Sequence, residues 1–161
     1  LGRLSLSVRG KGRRGERQWH VGKIFGNNFL GTMWRESLDE TILYVGDTEG
    51  EFVYAFDVGP DGRVTNKREF ARLLEPEKGS FGPRSRADGM AIDAMGRLYV
   101  STAAGIQVVD PRGKHLGIIR LPAVARNVAF GGPGRRTLYL TPLDSLYRVQ
   151  TLAEGPAGRS K

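Results

Sequence analysis

From about residue 42 onward, apolar and polar positions alternate with a period of two, in short runs broken by turn residues. "TILYVGDT" (41–48) and "EFVYAFDV" (51–58) read as a pair of strands rich in Val, Ile, Tyr and Phe. "RLYVST" (97–102) with "GIQVVD" (105–110) repeats the pair, and "RTLYLT" (136–141) with "SLYRVQ" (145–150) repeats it again. The Leu-Tyr anchors Leu43, Leu98 and Leu138 are spaced by 55 and 40 residues. Irregular repeats of several strands each point to propeller blades. A further strand is expected before each later anchor, at "GMAID" (89–93) and "NVAF" (127–130), and another after each hairpin, at 64–73 and "KHLGIIRLP" (114–122). The middle unit is then a complete four-stranded blade. The unit before it is nearly complete, and the last has three strands.

The turns repeat as well. "DVGPDGRV" (57–64) and "DPRGKHL" (110–116) each end a strand on Asp and turn through Pro and Gly. Asp57, Asp61 and Asp110 lack the spacing of a calcium-binding loop and read as turn carboxylates. The whole pattern predicts an all-β fold, a partial propeller of about three four-stranded antiparallel blades in an open ring.

Composition agrees with this reading. The chain has 161 residues, 23 glycines and eight prolines, which favours many short elements over long helices. It has no cysteine, so disulfides, thiolate metal sites and cysteine nucleophiles are excluded. No apolar run approaches the roughly 18 residues of a membrane span, and the start lacks a signal-peptide core. A soluble protein of undetermined compartment is expected. The net charge of +8 is uneven. Residues 1–23 hold seven basic side chains against Glu16 alone, so a net +6 of the chain's +8 lies in the head. Trp19 is the one aromatic among them, and no groove-reading motif follows, so neither nucleic acid nor membrane is expected as a partner. Residues 1–36 are expected to be a basic, poorly ordered leader of undetermined origin. Residues 37–150 are expected to be the blades, and 151–161 a polar, loose tail. Open blade edges make self-association an expected partner interaction.

Candidate chemistry is sparse. His20 and His115 are 95 residues apart and have no metal spacing, and His115 is expected as an exposed strand end. Ser101 and Ser145 lack a Gly-x-Ser-x-Gly context, and "GGPGRR" lacks the Lys-Ser/Thr ending of a phosphate loop. Asp88 is different. In "RADGMAIDAMGRLYV" (86–100) it comes just before an inner strand, ten positions ahead of Leu98. The corresponding positions are Arg126, twelve before Leu138, and Thr32, eleven before Leu43. Inner strands of successive blades start near the central channel, so these side chains would converge there. From the residues alone, Asp88 is either an Asp-Gly turn residue or a working carboxylate.

The segments "DGMAIDAMGRLYVST", "GIQVVDPRGKHLGIIRLP", "NVAFGGPGRRTLYLT" and "SLYRV" resemble the C-terminal half of the gluconolactonase/regucalcin family. "SLDETILYVGDT" (37–48) resembles the preceding blade. The resemblance covers about residues 37–150 and is strongest over 86–149. It implies a six-bladed propeller, a divalent metal (calcium or zinc) in the channel, and hydrolysis of sugar lactones or related esters. It implies that Asp88 is the metal ligand and catalytic carboxylate. The family's Asn ligand falls on Thr32, and an insertion would bring Asn27 or Asn28 into register, with Asn28 the candidate ligand. Thr32 and Arg126 become candidate substrate contacts. The family's N-terminal Glu has no counterpart, since Glu16 lies in the basic head. With one ligand of three matched by motif, the resemblance implies weak or lost metal binding by this chain. It also implies a fragment or a natural short form with doubtful activity of its own. The alternative expectation is a non-catalytic propeller segment used for interaction or assembly.

Overall fold

The computed structural model describes residues 7–12, 15–20, 32–80 and 82–157. These form β1 (Ser7–Gly12), β2 (Gly15–His20), β3 (Thr32–Glu36), β4 (Ile42–Asp47), β5 (Phe52–Val58), β6 (Val64–Arg72), β7 (Glu77–Gly79) and β8 (Gly82–Arg84). They continue with β9 (Met90–Ile92), β10 (Leu98–Thr102), β11 (Gly105–Val109), β12 (His115–Ile119), β13 (Asn127–Gly131), β14 (Thr137–Thr141) and β15 (Tyr147–Gln150). Among the described residues, a single 3-10 turn covers Pro133–Arg135. Each blade is an antiparallel meander: β3-β4-β5-β6, then β9-β10-β11-β12, then the three-stranded β13-β14-β15. The hairpins β1-β2 and β7-β8 form separate two-stranded sheets. The all-β class and the open array of blades agree with the sequence pattern.

The blades stack face to face, and the period of two decides which side chain meets which neighbour. Leu98 and Val100 on β10 join Met90, Ile92 and Val109 against Tyr44, Val53, Ala55, Ala71 and Leu73 of the first blade. Tyr99, on the opposite face, joins Ala91 and Ile106 against Val128, Leu138 and Leu140 of the third. Every residue of β10 is therefore buried, the polar Ser101 and Thr102 included. Tyr99 also meets Phe130 edge to face at 5.0 Å.

Polar groups tie the blades where apolar contact stops. Gln107 is fully buried, and its side-chain amide replaces a ladder partner for Leu74. Its Oε1 accepts from the Leu74 N–H at 2.8 Å, and its Nε2 donates to the Leu74 carbonyl at 2.8 Å. Nε2 also lies 3.1 Å from the Thr102 hydroxyl. His115, expected as an exposed strand end, is instead half-buried, with Nε2 donating to the Arg72 carbonyl at 2.8 Å. The turn before it comes so close to β6 that a Cβ at Gly113, where φ is +87°, would lie 2.0 Å from the Phe70 carbonyl oxygen. Asp110 holds that turn by accepting from the N–H groups of Arg112 and Lys114 at 2.8 and 2.9 Å, the turn role its context predicts.

Two boundaries differ from the sequence expectation. The first blade has all four strands, because β3 begins at Thr32, not after residue 36. The segment "TMWRE" carries only two large apolar residues, so its alternation is too short to read, yet it pairs with β4 from Thr32↔Asp47 to Glu36↔Leu43. Residues 151–157 are not loose. The Ala94 N–H donates to the Glu154 carbonyl at 2.7 Å, the Gly155 N–H donates to the Arg135 carbonyl at 2.9 Å, and Ala153 packs on the core shared by the second and third blades.

If Gln107 clamps the first blade to the second, Gln107→Leu leaves the Leu74 amide and carbonyl without partners. Equilibrium urea unfolding should show a loss of about 1–3 kcal/mol. An unchanged midpoint would remove the clamp.

Candidate functional site

The strand registers place three residues at one level. Leu43 pairs with Glu36, Leu98 with Ile92 and Leu138 with Phe130. Counting four residues back along each inner strand reaches Thr32, Asp88 and Arg126. The unequal distances to the anchors come only from hairpins of different length. Hydrogen bonding confirms the equivalence of two of them: the Asp88 N–H donates to the Ser101 carbonyl at 3.0 Å, and the Arg126 N–H donates to the Thr141 carbonyl at 2.9 Å. Thr32 lies at this level by its backbone pairing with Asp47. Asn28, the candidate metal ligand, lies outside the described residues, as does Asn27.

The second and third blades are locked together at this end. The Gly89 N–H donates to the Arg126 carbonyl at 2.8 Å, a backbone bond between blades. A Cβ at Gly89 would lie 2.1 Å from Asn127 Oδ1 and 2.6 Å from its Cα, so only glycine permits the approach. On the other flank, the Thr48 hydroxyl donates to the Ala87 carbonyl at 2.6 Å and Ser85 Oγ donates to the Asp47 carbonyl at 3.1 Å. The segment leading to Asp88 is thereby fixed to the top of the first blade.

This frame puts Arg126 Nη1 3.8 Å from Asp88 Oδ2, with both side chains partly open to solvent (43% and 34% exposed). Ser101, on the strand beside Asp88, is fully buried, and its hydroxyl has no hydrogen-bond partner among the described residues. The β7-β8 hairpin stands at the same end. Its Glu77 takes Arg84 at 2.9 Å and Arg86 at 3.7 Å. Asp47, which sequence reasoning did not single out, is a second carboxylate here. Burial pushes its carboxyl up, while the N–H groups of Glu49 and Gly50 act against this. Its pairing with Thr32 is the signal that would have found it.

Among the described residues, no three His, Cys, Asp or Glu side chains are grouped to hold a metal ion. Calcium takes roughly six to eight oxygen ligands. Asp88 supplies one carboxylate, and the charged group facing it is a guanidinium. The described residues do not by themselves fit a divalent-metal site. They bring together a base and a cationic hydrogen-bond donor.

The other carboxylate of the same motif, Asp93, sits at the far end of β9 and is fully buried. Its Oδ2 lies 2.5 Å from Arg97 Nε and accepts from the Tyr99 hydroxyl at 3.2 Å. Its Oδ1 accepts from the N–H groups of Met95 and Arg97 at 2.9 and 3.0 Å. These contacts make Asp93 a turn lock, not a reactive group. Burial first, and then the Asp93 charge, push the Tyr99 hydroxyl from 10.0 up to about 12.

The comparisons with known proteins agree with this architecture. A family model described as "SMP-30/Gluconolactonase/LRE-like region" matches residues 27–143. Human regucalcin is 33% identical over 127 residues, covering 76% of this chain and 40% of regucalcin. The gluconolactonase of Zymomonas mobilis is 31% identical over 123 residues, covering 74% of this chain and 34% of that protein. Among solved structures, a luciferin-regenerating enzyme has a TM-score of 0.70 at 22% identity, covering 94% of this chain and 54% of that chain. The chain spans about two fifths of the length of the curated relatives it matches.

The Tyr99 hydroxyl gives a pH test of the far-end lock. The folded state holds the phenol proton more tightly than the unfolded chain does. Its contribution to stability is therefore complete below about pH 10 and is lost as pH rises toward 12. Urea unfolding at pH 9, 10 and 11 should show a steeper decline for the native chain than for Tyr99→Phe, by up to about 1.4 kcal/mol per pH unit. Equal slopes would contradict the shift.

Proposed function

The chain belongs to the SMP-30/gluconolactonase/LRE-like family, and from that premise we propose that it hydrolyses a sugar lactone or related cyclic ester, with Asp88 as the general base. The observation that carries the reading is the placement of Asp88. It is a partly exposed carboxylate, fixed by backbone bonds on both flanks, at the level where inner strands of neighbouring blades begin. Relatives named gluconolactonase and 6-deoxy-6-sulfogluconolactonase support the substrate class.

In this reading a water beside Asp88 gives up a proton to Oδ as its oxygen attacks the lactone carbonyl carbon. The ring oxygen then leaves and takes the proton back, which gives the open hydroxy acid. Arg126 and Thr32 contact the substrate from the neighbouring blades. The family resemblance also brings a divalent metal, calcium or zinc, with Asp88 and Asn28 as its ligands. The described residues do not complete that site, and the proton transfer through Asp88 does not depend on it. The division of the chain follows the same reading. The blades, from β3 onward, carry Thr32, Asp88 and Arg126, and the basic head (1–23) and the tail (151–161) have no part in the site.

A second reading has an observation of its own. The third blade has three strands where the others have four, and β15 pairs only with β14 among the described residues. An unpaired strand edge is a template for another chain. In this reading the protein is a propeller segment that assembles with further blades, its own or those of a second copy.

Both readings are testable with the purified 161-residue chain. Titration of acid release from gluconolactone should exceed the spontaneous rate, and Asp88→Asn should reduce the enzymatic part by about a hundredfold or more. Turnover that survives Asp88→Asn would remove the site assignment. A chain with no turnover that sediments as a concentration-dependent oligomer would favour assembly.

A further inference from the structure

Of the equivalent positions Thr32, Asp88 and Arg126, the first is uncharged and the other two carry opposite charges, while Asp47, the other carboxylate at this end, is engaged by the N–H groups of Glu49 and Gly50. A site for a divalent cation needs an excess of anionic oxygen. Here the carboxylate is matched by a guanidinium supplied from the next blade at the same register. The match is built into the backbone. The Gly89 N–H to Arg126 carbonyl bond of 2.8 Å and the contact of Gly89 with Asn127 hold the two strand starts together. The 3.8 Å separation of Arg126 Nη1 from Asp88 Oδ2 follows from that frame. No side-chain hydrogen bond engages the Arg126 guanidinium among the described residues, so its N–H donors remain available.

We infer that Arg126 is the resident cation of the Asp88 site, opposing a divalent metal there and itself holding the oxyanion during lactone hydrolysis. A dipositive ion bound to Asp88 would sit against a fixed positive charge within a few ångströms, where protein screening is incomplete. The same charge suits the reaction. Water attacks the carbonyl carbon and its proton passes to Asp88. The carbonyl π electrons move onto oxygen, which the guanidinium N–H groups hold. Re-formation of the C=O bond expels the ring oxygen, which takes the proton from Asp88. No oxidant, reductant or further reactant is needed. The inference rests on the lactone-hydrolase reading for its catalytic half only.

The test uses the intact chain and its Arg126→Gln and Arg126→Lys variants, checked for unchanged thermal unfolding. Calcium and zinc are titrated separately by isothermal calorimetry. The native chain and Arg126→Lys should bind at least about tenfold more weakly than Arg126→Gln, in which the opposing charge is gone. Gluconolactone hydrolysis by the native chain should persist in excess EDTA, and Arg126→Gln should lower that metal-free rate by about a hundredfold. Equal metal affinity for the native chain and Arg126→Gln, including no binding by either, overturns the inference. So does loss of native hydrolysis in EDTA, which would leave the lactone-hydrolase reading standing. Absence of hydrolysis under every condition overturns that reading and the oxyanion role with it, while the calorimetry still decides whether Arg126 opposes the metal.

Discussion

Each blade is a sheet too small to bury its own apolar faces, and everything else in the structure follows from stacking one blade on the next. The middle blade shows the constraint most fully. Leu98 and Val100 face one neighbour and Tyr99 faces the other, so a short strand contributes to two cores at once. Stacking also brings polar backbone edges together, and their hydrogen bonds have to be completed across the seam. The Gln107 amide serves that need toward the first blade. On the other side, the Ala94 N–H meets the Glu154 carbonyl of the closing segment.

The candidate site is the narrow end of the same stack. Where inner strands start, the blades approach until one side chain has to be absent, and that position is Gly89. Its neighbours on either side in the stack are then brought within ionic distance of each other. Asp88 and Arg126 are 38 positions apart in sequence, yet they occupy one register level of adjacent blades. Their meeting needs no long-range folding code beyond the repeat itself.

Much of this was legible in the sequence because the repeat is marked by apolar anchors. Counting back from Leu43, Leu98 and Leu138 identifies Thr32, Asp88 and Arg126, and the strand registers place the same three residues at one level. What stayed hidden depends on pairing between blades. The strand "TMWRE" has too few apolar residues to show alternation and is defined by its partner β4. His115 and Gln107 look like ordinary strand residues until the first blade supplies Arg72 and Leu74 as partners. The closing segment reads as polar because it is held by backbone bonds and by ion pairs of Glu154 with Arg135 and Arg136, partners that composition does not reveal. Arg126 was legible as a residue at the mouth, but its pairing with Asp88 is a property of two blades together.

The motif that first draws attention also shows how little a residue type decides alone. "DGMAID" contains two carboxylates five positions apart, one at each end of a single inner strand. Asp93 is enclosed, accepts four hydrogen bonds from Met95, Arg97 and Tyr99, and has no lone pair direction left for a substrate. Asp88 keeps its side chain partly in solvent and faces one cation at a distance beyond a hydrogen bond. The strand that joins them is buried on both faces, so neither end can shift without disturbing two cores. The enclosed carboxylate fixes the strand from one end, and that rigidity is what lets the open one hold a defined position against Arg126. An acid at the mouth of a propeller strand gains chemical meaning only when the far end of the strand is anchored, and here both residues come from the same six-residue motif.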